Sequence, residues 1–363
     1  MTTPMDGEMA APAIRCDYIR IVRERLESAA AARPERLPPP TFSELADAVG
    51  EPVRGCELLA NNWRNRVYRI ELTSGALAVA KQVVLGNEAM VQHQCNQLNE
   101  LAGIEIPGLR IPRVLGLVPV KRTYVMEFAR GKTLRALAQT GGNGEAVLAF
   151  CKRAGEILGR IHLAWTKEIA PVPVDTLAAD FAHAPWRLSP GEEKILQTAL
   201  ERLIQAKVSM GQVYYDYQAK NLLVDGEQLW LIDPPDFFWE GVHLWDVARF
   251  RAGLRRLRWR SSMRQPFQRE RQAVAKRTAS AFQSGYFGQF NTRHPEPRFL
   301  AAATRLFELQ HTAMSMATNA AKRKQNGTTP VRLLRDVKVG LITLPLLELE
   351  KRWLFRQLAN ELP

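Results

Sequence analysis

The residues best suited to chemistry lie in one stretch, VYYDYQAKNLLVDGEQLWLIDPPD at 213–236. Asp216, Asn221 and Asp233 sit there at the ends of two apolar runs, where an unpaired charge is costly. Asp225-Gly226 is a strong turn signal between NLLV and LWLID. A turn at 225–228 sets Val224 opposite Leu229 and Asn221 opposite Ile232, so that Asn221 and Asp233 emerge together at the open end of the hairpin. Opposed Cα atoms lie about 4.5–5.5 Å apart. An amide oxygen and a carboxylate so placed suit a shared hard cation such as Mg²⁺, completed by substrate phosphates and water. Asp216 precedes Asn221 by five residues, within one loop's reach of the same point.

Other elements must hold these groups. Residues 1–31 read as a helix (DYIRIVRERLESAAAA), and RPERLPPP at 33–40 breaks it, which predicts a linker or a strap on the main body. From about residue 57 the texture is strand-like. VYRIELTSGALAVAKQVV predicts a hairpin around Thr73-Ser74-Gly75, and its second arm carries Lys81 among apolar residues, where an anionic partner is needed. Residues 87–102 have helical periodicity, with Met90, Val91, Cys95, Leu98 and Leu101 on one face. TYVMEF predicts a further strand, and helical segments dominate from about 144. No internal repeat is seen. The pattern is a small strand-rich lobe followed by a larger helical one.

In this order the motifs resemble the protein-kinase-like fold, and most closely the aminoglycoside phosphotransferase and choline kinase-like family. The resemblance spans roughly residues 57–250. NRVYRI at 65–70 is similar to the first strands after the phosphate-covering loop, so that Asn61, Asn62 and Asn65 fall at the nucleotide phosphates. AVAK ends at Lys81, matching the strand lysine that holds them. YVMEFARGKTL resembles the hinge, with Glu127 to Ala129 offering backbone groups to an adenine. AGEILGRIHLAW resembles the helix before the catalytic loop, its His162 read as a hydrogen-bonded core residue. LWDVARF supplies Asp246, which braces that loop. The resemblance implies an α+β fold, bilobal and protein kinase-like, with a small antiparallel-sheet N-lobe and a larger, mainly helical C-lobe. It also implies ATP and Mg²⁺ as cofactors, Asn221 and Asp233 as metal ligands, and Asp216 as the group that orients or deprotonates the acceptor hydroxyl. The expected divisions are an extension over 1–50, an N-lobe over 51–130 and a C-lobe over 131–363.

The chain departs from the family in several places. LLANNWRN has Asn61-Asn62 where glycines are usual, although asparagine tolerates positive φ. Tyr214-Tyr215 replaces the usual His-Gly, and Pro234-Pro235 follows Asp233. The glutamate that pairs with the strand lysine is not obvious: Glu88, on the flank of the apolar face, is the best-placed carboxylate, Gln94 within that face is the alternative occupant, and Glu100 lies nearly opposite. The expected activity is transfer of the γ-phosphate of ATP to a hydroxyl of a small-molecule, sugar or lipid-linked glycan acceptor. The alternative is a catalytically impaired pseudokinase acting as a regulatory or binding module.

Composition narrows the partners. The 363-residue chain has a net charge of +13, and residues 249–277 hold eleven Arg and Lys against Glu270 alone. With Arg255, Arg256, Arg258 and Arg260 dominating that run, the expectation is an anionic acceptor and peripheral association with a membrane surface through basic helices. A second basic group lies at 322–327. No nucleic-acid-binding signature accompanies the arginines, so a nucleic-acid partner is not expected. Cys16, Cys56, Cys95 and Cys151 are about forty or more residues apart, which suggests reduced thiols, and no signal-peptide pattern opens the chain. A cytoplasmic location is the expectation.

Overall fold

The computed structural model describes residues 37–61, 65–84, 87–140, 143–234, 239–264, 269–290, 297–324 and 339–362. The small lobe begins with α1 (Phe42–Val49), whose Thr41 and Glu44 form a reciprocal capping box. Next come β1 (Val53–Asn61), β2 (Asn65–Leu72) and β3 (Leu77–Val83), then α2 (Glu88–Ala102), β4 (Leu109–Arg110), β5 (Val114–Val118) and β6 (Thr123–Glu127). An antiparallel sheet runs β1-β2-β3-β6-β5. Helix α1 packs on one face through Leu45, Tyr68, Ile70 and Val125, and the other face meets α2 through Val79, Val83, Val91, Cys95 and Leu98. The predicted 87–102 helix is present and turns Val91, Cys95, Leu98 and Leu101 inward, with Met90 half-buried. The Leu37 carbonyl accepts from Arg66 and the Pro38 carbonyl from Gln82, so the chain just before α1 is tied to β2 and β3.

The larger lobe opens with β7 (Lys132–Thr133), α3 (Leu134–Thr140) and α4 (Gly144–Trp165). It continues through β8 (Thr166–Pro171), α5 (Val174–Ala182), α6 (Pro190–Leu203) and β9 (Lys207–Val213). The hairpin β10 (Leu222–Asp225) and β11 (Gln228–Leu231) leads to β12 (Trp239–Val242) and then to α7 (Leu244–Arg264), α8 (Arg269–Phe287), α9 (Pro297–Lys324) and α10 (Leu344–Glu361). Helices α4 and α8 press together at glycines. A Cβ on Gly155 would meet the Phe282 carbonyl oxygen at 2.0 Å, and one on Gly285 the Lys152 oxygen at 2.0 Å. The lobe's core gathers α4, α5, β9, α7 and α9 around Trp245, Tyr214, Tyr217 and Phe250.

The centre of the basic run, Arg251 to Arg256, is not the surface field expected of it. Arg255 is 7 % exposed, and it reaches Glu308 at 2.8 Å and Glu350 at 2.6 Å. Arg256 meets the same Glu350 at 2.7 Å, and Arg251 meets Glu308 at 3.1 Å. Arg305 bridges Glu308 and Glu361, while Arg255 and Arg305 also lie against the ring of Trp353. These charges tie α7 to α9 and α10, because a buried guanidinium must be matched. The expectation of a basic membrane-facing surface built on Arg255 and Arg256 is therefore corrected. Arg258 is half-buried and Arg260 exposed, and the side chains of the 322–327 group lie outside the described residues. No described helix is long and apolar enough to cross a membrane.

Candidate active site

The hairpin carries the site as its turn chemistry dictates. Val224 pairs with Leu229 and Leu222 with Leu231, and Gly226 takes φ +57° at the turn. The Ile232 amide donates to the Asn221 carbonyl at 3.1 Å, so Asn221 and the residue before Asp233 are held opposite each other. The hairpin is pinned from outside. Gly131, at φ +107°, lies under β10 so closely that a Cβ would stand 2.0 Å from the Val224 oxygen.

Asp216 is the hub of the loop before the hairpin. Its Oδ1 accepts from Arg249 Nη2 at 2.5 Å and from Gln218 Nε2, and its Oδ2 from Lys220 Nζ at 3.3 Å and Asn221 Nδ2 at 3.1 Å. Asn221 Nδ2 also donates to the Asp216 carbonyl at 2.9 Å. Burial pushes the Asp216 carboxyl up, but Arg249, Lys220 and Asn221 outweigh it and hold it at about 2. It is therefore ionised at neutral pH and is a weak proton acceptor.

Asp246, in the first turn of α7, grips the loop. Its carboxylate accepts the backbone amides of Tyr214 at 2.6 Å and Tyr215 at 2.7 Å, and it meets His162 Nε2 at 3.0 Å. Burial pushes Asp246 up, to about 7, and pushes His162 down, to about 3. Three donors on the carboxylate and a neutral imidazole satisfy both groups. His162 is fully buried, with Tyr286 on Nδ1, in keeping with a core residue.

Tyr214 and Tyr215 answer different needs. Tyr214 is buried and donates its hydroxyl to the Asp233 carbonyl. Tyr215 takes φ +66°, a strained conformation for a tyrosine. Its ring stacks on Trp245 with centroids 6.2 Å apart, and the Arg249 guanidinium lies 4.9 Å from its centroid. Arg249 stands three residues after Asp246 on α7, so one helical face grips both the loop backbone and the Asp216 carboxylate. Sequence reading placed Arg249 only within a basic run. The i, i+3 spacing in LWDVARF was the available signal.

Across the lobe junction, Lys81 on β3 is 4 % exposed and its ammonium pairs with Asp233. The carboxylate on Lys81 thus comes from the hairpin. Glu88 is exposed in the first turn of α2, and Glu100 is exposed and accepts from Gln97. Gln94 is fully buried in the helix face toward the sheet. Asn61 ends β1 opposite Arg66, and Asn65 opens β2 opposite Val83. Asn62, between them, lies outside the described residues. Glu127 closes β6 beside Ala78 of β3, its amide donating to the Arg113 carbonyl at 2.9 Å, and Ala129 follows just beyond the sheet.

The oxygen donors suit a hard cation. Asn221 directs its Nδ2 to Asp216, which leaves its Oδ1 for a ligand, and Asp233 engages Lys81 through Oδ1, which leaves Oδ2. No group of three or more His, Cys, Asp or Glu capable of holding a metal occurs among the described residues. Two oxygens so placed would need others from a substrate to complete a Mg²⁺ shell.

The fold is shared with solved structures. The chain overlays a candidate aminoglycoside phosphotransferase from Ralstonia eutropha with a TM-score of 0.56 at 12 % identity, covering 89 % of this chain and 98 % of that one. It overlays an amicoumacin kinase solved in complex with AMP-PNP, Ca²⁺ and Ami with a TM-score of 0.51 at 14 % identity, covering 88 % of this chain and 92 % of that one. At these identities the likeness is one of fold. No curated protein matches the sequence. Residues 55–283, more than half of the chain and all of the site, match the phosphotransferase enzyme family, and the protein belongs to that family.

Proposed function

We propose that this phosphotransferase moves the γ-phosphate of ATP to a hydroxyl of a small-molecule, sugar or lipid-linked glycan acceptor. The observation that carries this reading is the convergence of Lys81, Asn221, Asp233 and Asp216 from both lobes, with Lys81 paired to Asp233 and Asn221 bonded to Asp216. In this reading the small lobe, 51–130, takes the nucleotide between Lys81, the Asn61 to Asn65 loop and the Glu127 to Ala129 hinge, and 131–363 supplies the rest. The amicoumacin kinase of the same fold holds AMP-PNP and a divalent cation. Here Asn221 Oδ1 and Asp233 Oδ2 would hold Mg²⁺, whose chemistry is to neutralise charge on the transferring phosphates. Lys81 would hold the other phosphate oxygens, exchanging part of its contact with Asp233 for them.

Asp216 orients the acceptor hydroxyl. The acceptor oxygen bonds to the γ-phosphorus as the bond to the bridging oxygen breaks and ADP leaves, and late in the transfer the hydroxyl proton passes to the Asp216 carboxylate and from there to water. A carboxylate held at about 2 contributes by position and charge more than by basicity. The saturation of Asp216 by four side-chain donors favours a second reading, a pseudokinase in which no acceptor displaces them. Transfer from γ-labelled ATP to a panel of alcohols, with and without EDTA and in Asp216→Asn, separates the two. The first reading expects metal-dependent transfer reduced by about 10²-fold or more in the variant. Full transfer in Asp216→Asn refutes the role given to that carboxylate, and metal-dependent ATP binding with no transfer to any acceptor favours the pseudokinase.

A further inference from the structure

We propose that Arg249 determines acceptor specificity, and that with Lys220 it selects an alcohol bearing a carboxylate or phosphate near the hydroxyl that is phosphorylated. This rests on the phosphotransferase reading and adds the charge class of the acceptor. A hydroxyl hydrogen-bonded to Asp216 lies about 2.7 Å from its carboxylate. Arg249 Nη2 is 2.5 Å from Oδ1 and Lys220 Nζ 3.3 Å from Oδ2. A hydroxyl on Oδ1 therefore lies within about 5 Å of the Arg249 guanidinium, and one on Oδ2 within about 6 Å of the Lys220 ammonium, by adding that hydrogen-bond length to the separation at the same oxygen. The Arg249 and Asp216 side chains are 16 % and 20 % exposed, so whatever reaches one meets the other with little water between. Lys220, at 43 % exposed, is the more screened of the two cations.

The guanidinium is fixed in place. It lies over Tyr215, which stacks on Trp245, and it rises from the same helical turn as Asp246. Nη2 is committed to Asp216, whereas Nε is buried and has no hydrogen-bond partner among the described residues. A guanidinium carries five donors, and an anion on the acceptor would engage those that Asp216 leaves. The charges at the site also favour an anion. Among the described residues, Lys81, Lys220 and Arg249 pair with Asp233 and Asp216, and Arg249 also feels the buried Asp246 carboxylate on its own helix. A polycationic amino sugar would bring ammonium groups against Arg249, while the Asp246 carboxylate beside it is taken up by the Tyr214 and Tyr215 amides and His162.

The test uses the full chain with γ-labelled ATP and four acceptors: a sugar phosphate, a sugar acid, the matching neutral sugar and an aminoglycoside. The expected result is transfer to an anionic sugar in preference to the neutral one, and none to the aminoglycoside. Arg249→Gln should lower kcat for both acceptors, because the same guanidinium holds Asp216, and raise KM for the anionic acceptor about 10- to 100-fold more than KM for the neutral sugar, as befits a lost charge-assisted contact. Arg249→Lys should recover part of the difference. Preference for the aminoglycoside, or equal KM changes for charged and neutral acceptors, overturns the proposal. Calorimetry of the ADP-bound protein with the same four compounds serves where no transfer occurs, and failure of both anionic sugars to bind also overturns it. ATP binding that Lys81→Met abolishes would leave the phosphotransferase reading standing while this proposal falls.

Discussion

Substituting Glu308→Gln tests whether the buried arginines serve the fold. Glu308 is fully buried on α9, and its Oε1 accepts from Arg251 Nε at 3.1 Å and Arg255 Nη1 at 2.8 Å. Its Oε2 accepts from Arg305 Nη1 at 2.8 Å. Glutamine would remove the charge and aim an N–H₂ at one of three guanidinium groups. Burial pushes Glu308 up, but Arg251, Arg255 and Arg305 outweigh it and hold it at about 2, from an ordinary value of 4.5. At about 1.4 kcal/mol per pKa unit, the ionised form contributes about 3 kcal/mol. That agrees with the roughly 3–5 kcal/mol lost when a buried ion pair is broken from one side. The sign follows from a depressed pKa: the contribution is complete above pH 4.5 and disappears as pH falls through about 2. Urea unfolding should show Glu308→Gln less stable by about 3 kcal/mol at pH 7, with more than half of the gap gone by about pH 3. Transfer activity per folded molecule should stay within about threefold, since breaking this structural pair costs stability rather than a contact with substrate. A loss below about 1 kcal/mol, or a gap independent of pH, would refute the reasoning.

Two other perturbations probe the site and its support. Lys81→Met should weaken ATP binding about 10- to 100-fold by calorimetry, because it removes the charge-assisted contact that Asp233 now occupies; unchanged affinity would place the phosphates elsewhere. Gly131→Ala should destabilise the protein by at least about 2 kcal/mol in denaturant unfolding, since φ +107° and a Cβ 2.0 Å from the Val224 oxygen cannot both be relieved without moving β10. A neutral effect would mean that the hairpin is not pinned there.

Much of the hairpin was legible in the chain, because a turn acts locally. Asp225-Gly226 sets the register, and the register carries Asn221 opposite Ile232, next to Asp233. The α2 helix was legible for the same reason, its period of apolar residues matching its buried face. The family's motif order gave the two lobes in sequence. The carboxylate on Lys81 was not legible, because Asp233 lies 152 residues away and reaches it only when the lobes meet. The basic run misled for a related reason. Its composition alone cannot say whether an arginine faces water or a partner, and the partners of Arg255, Glu308 and Glu350, lie 53 and 95 residues further along. Burial of a charge requires a counter-charge brought by another helix. The packing of α7 against α9 and α10 decided that Arg255 and Arg256 build the lobe, and the start of α7, with Arg249 three residues after Asp246, set Arg249 on Asp216.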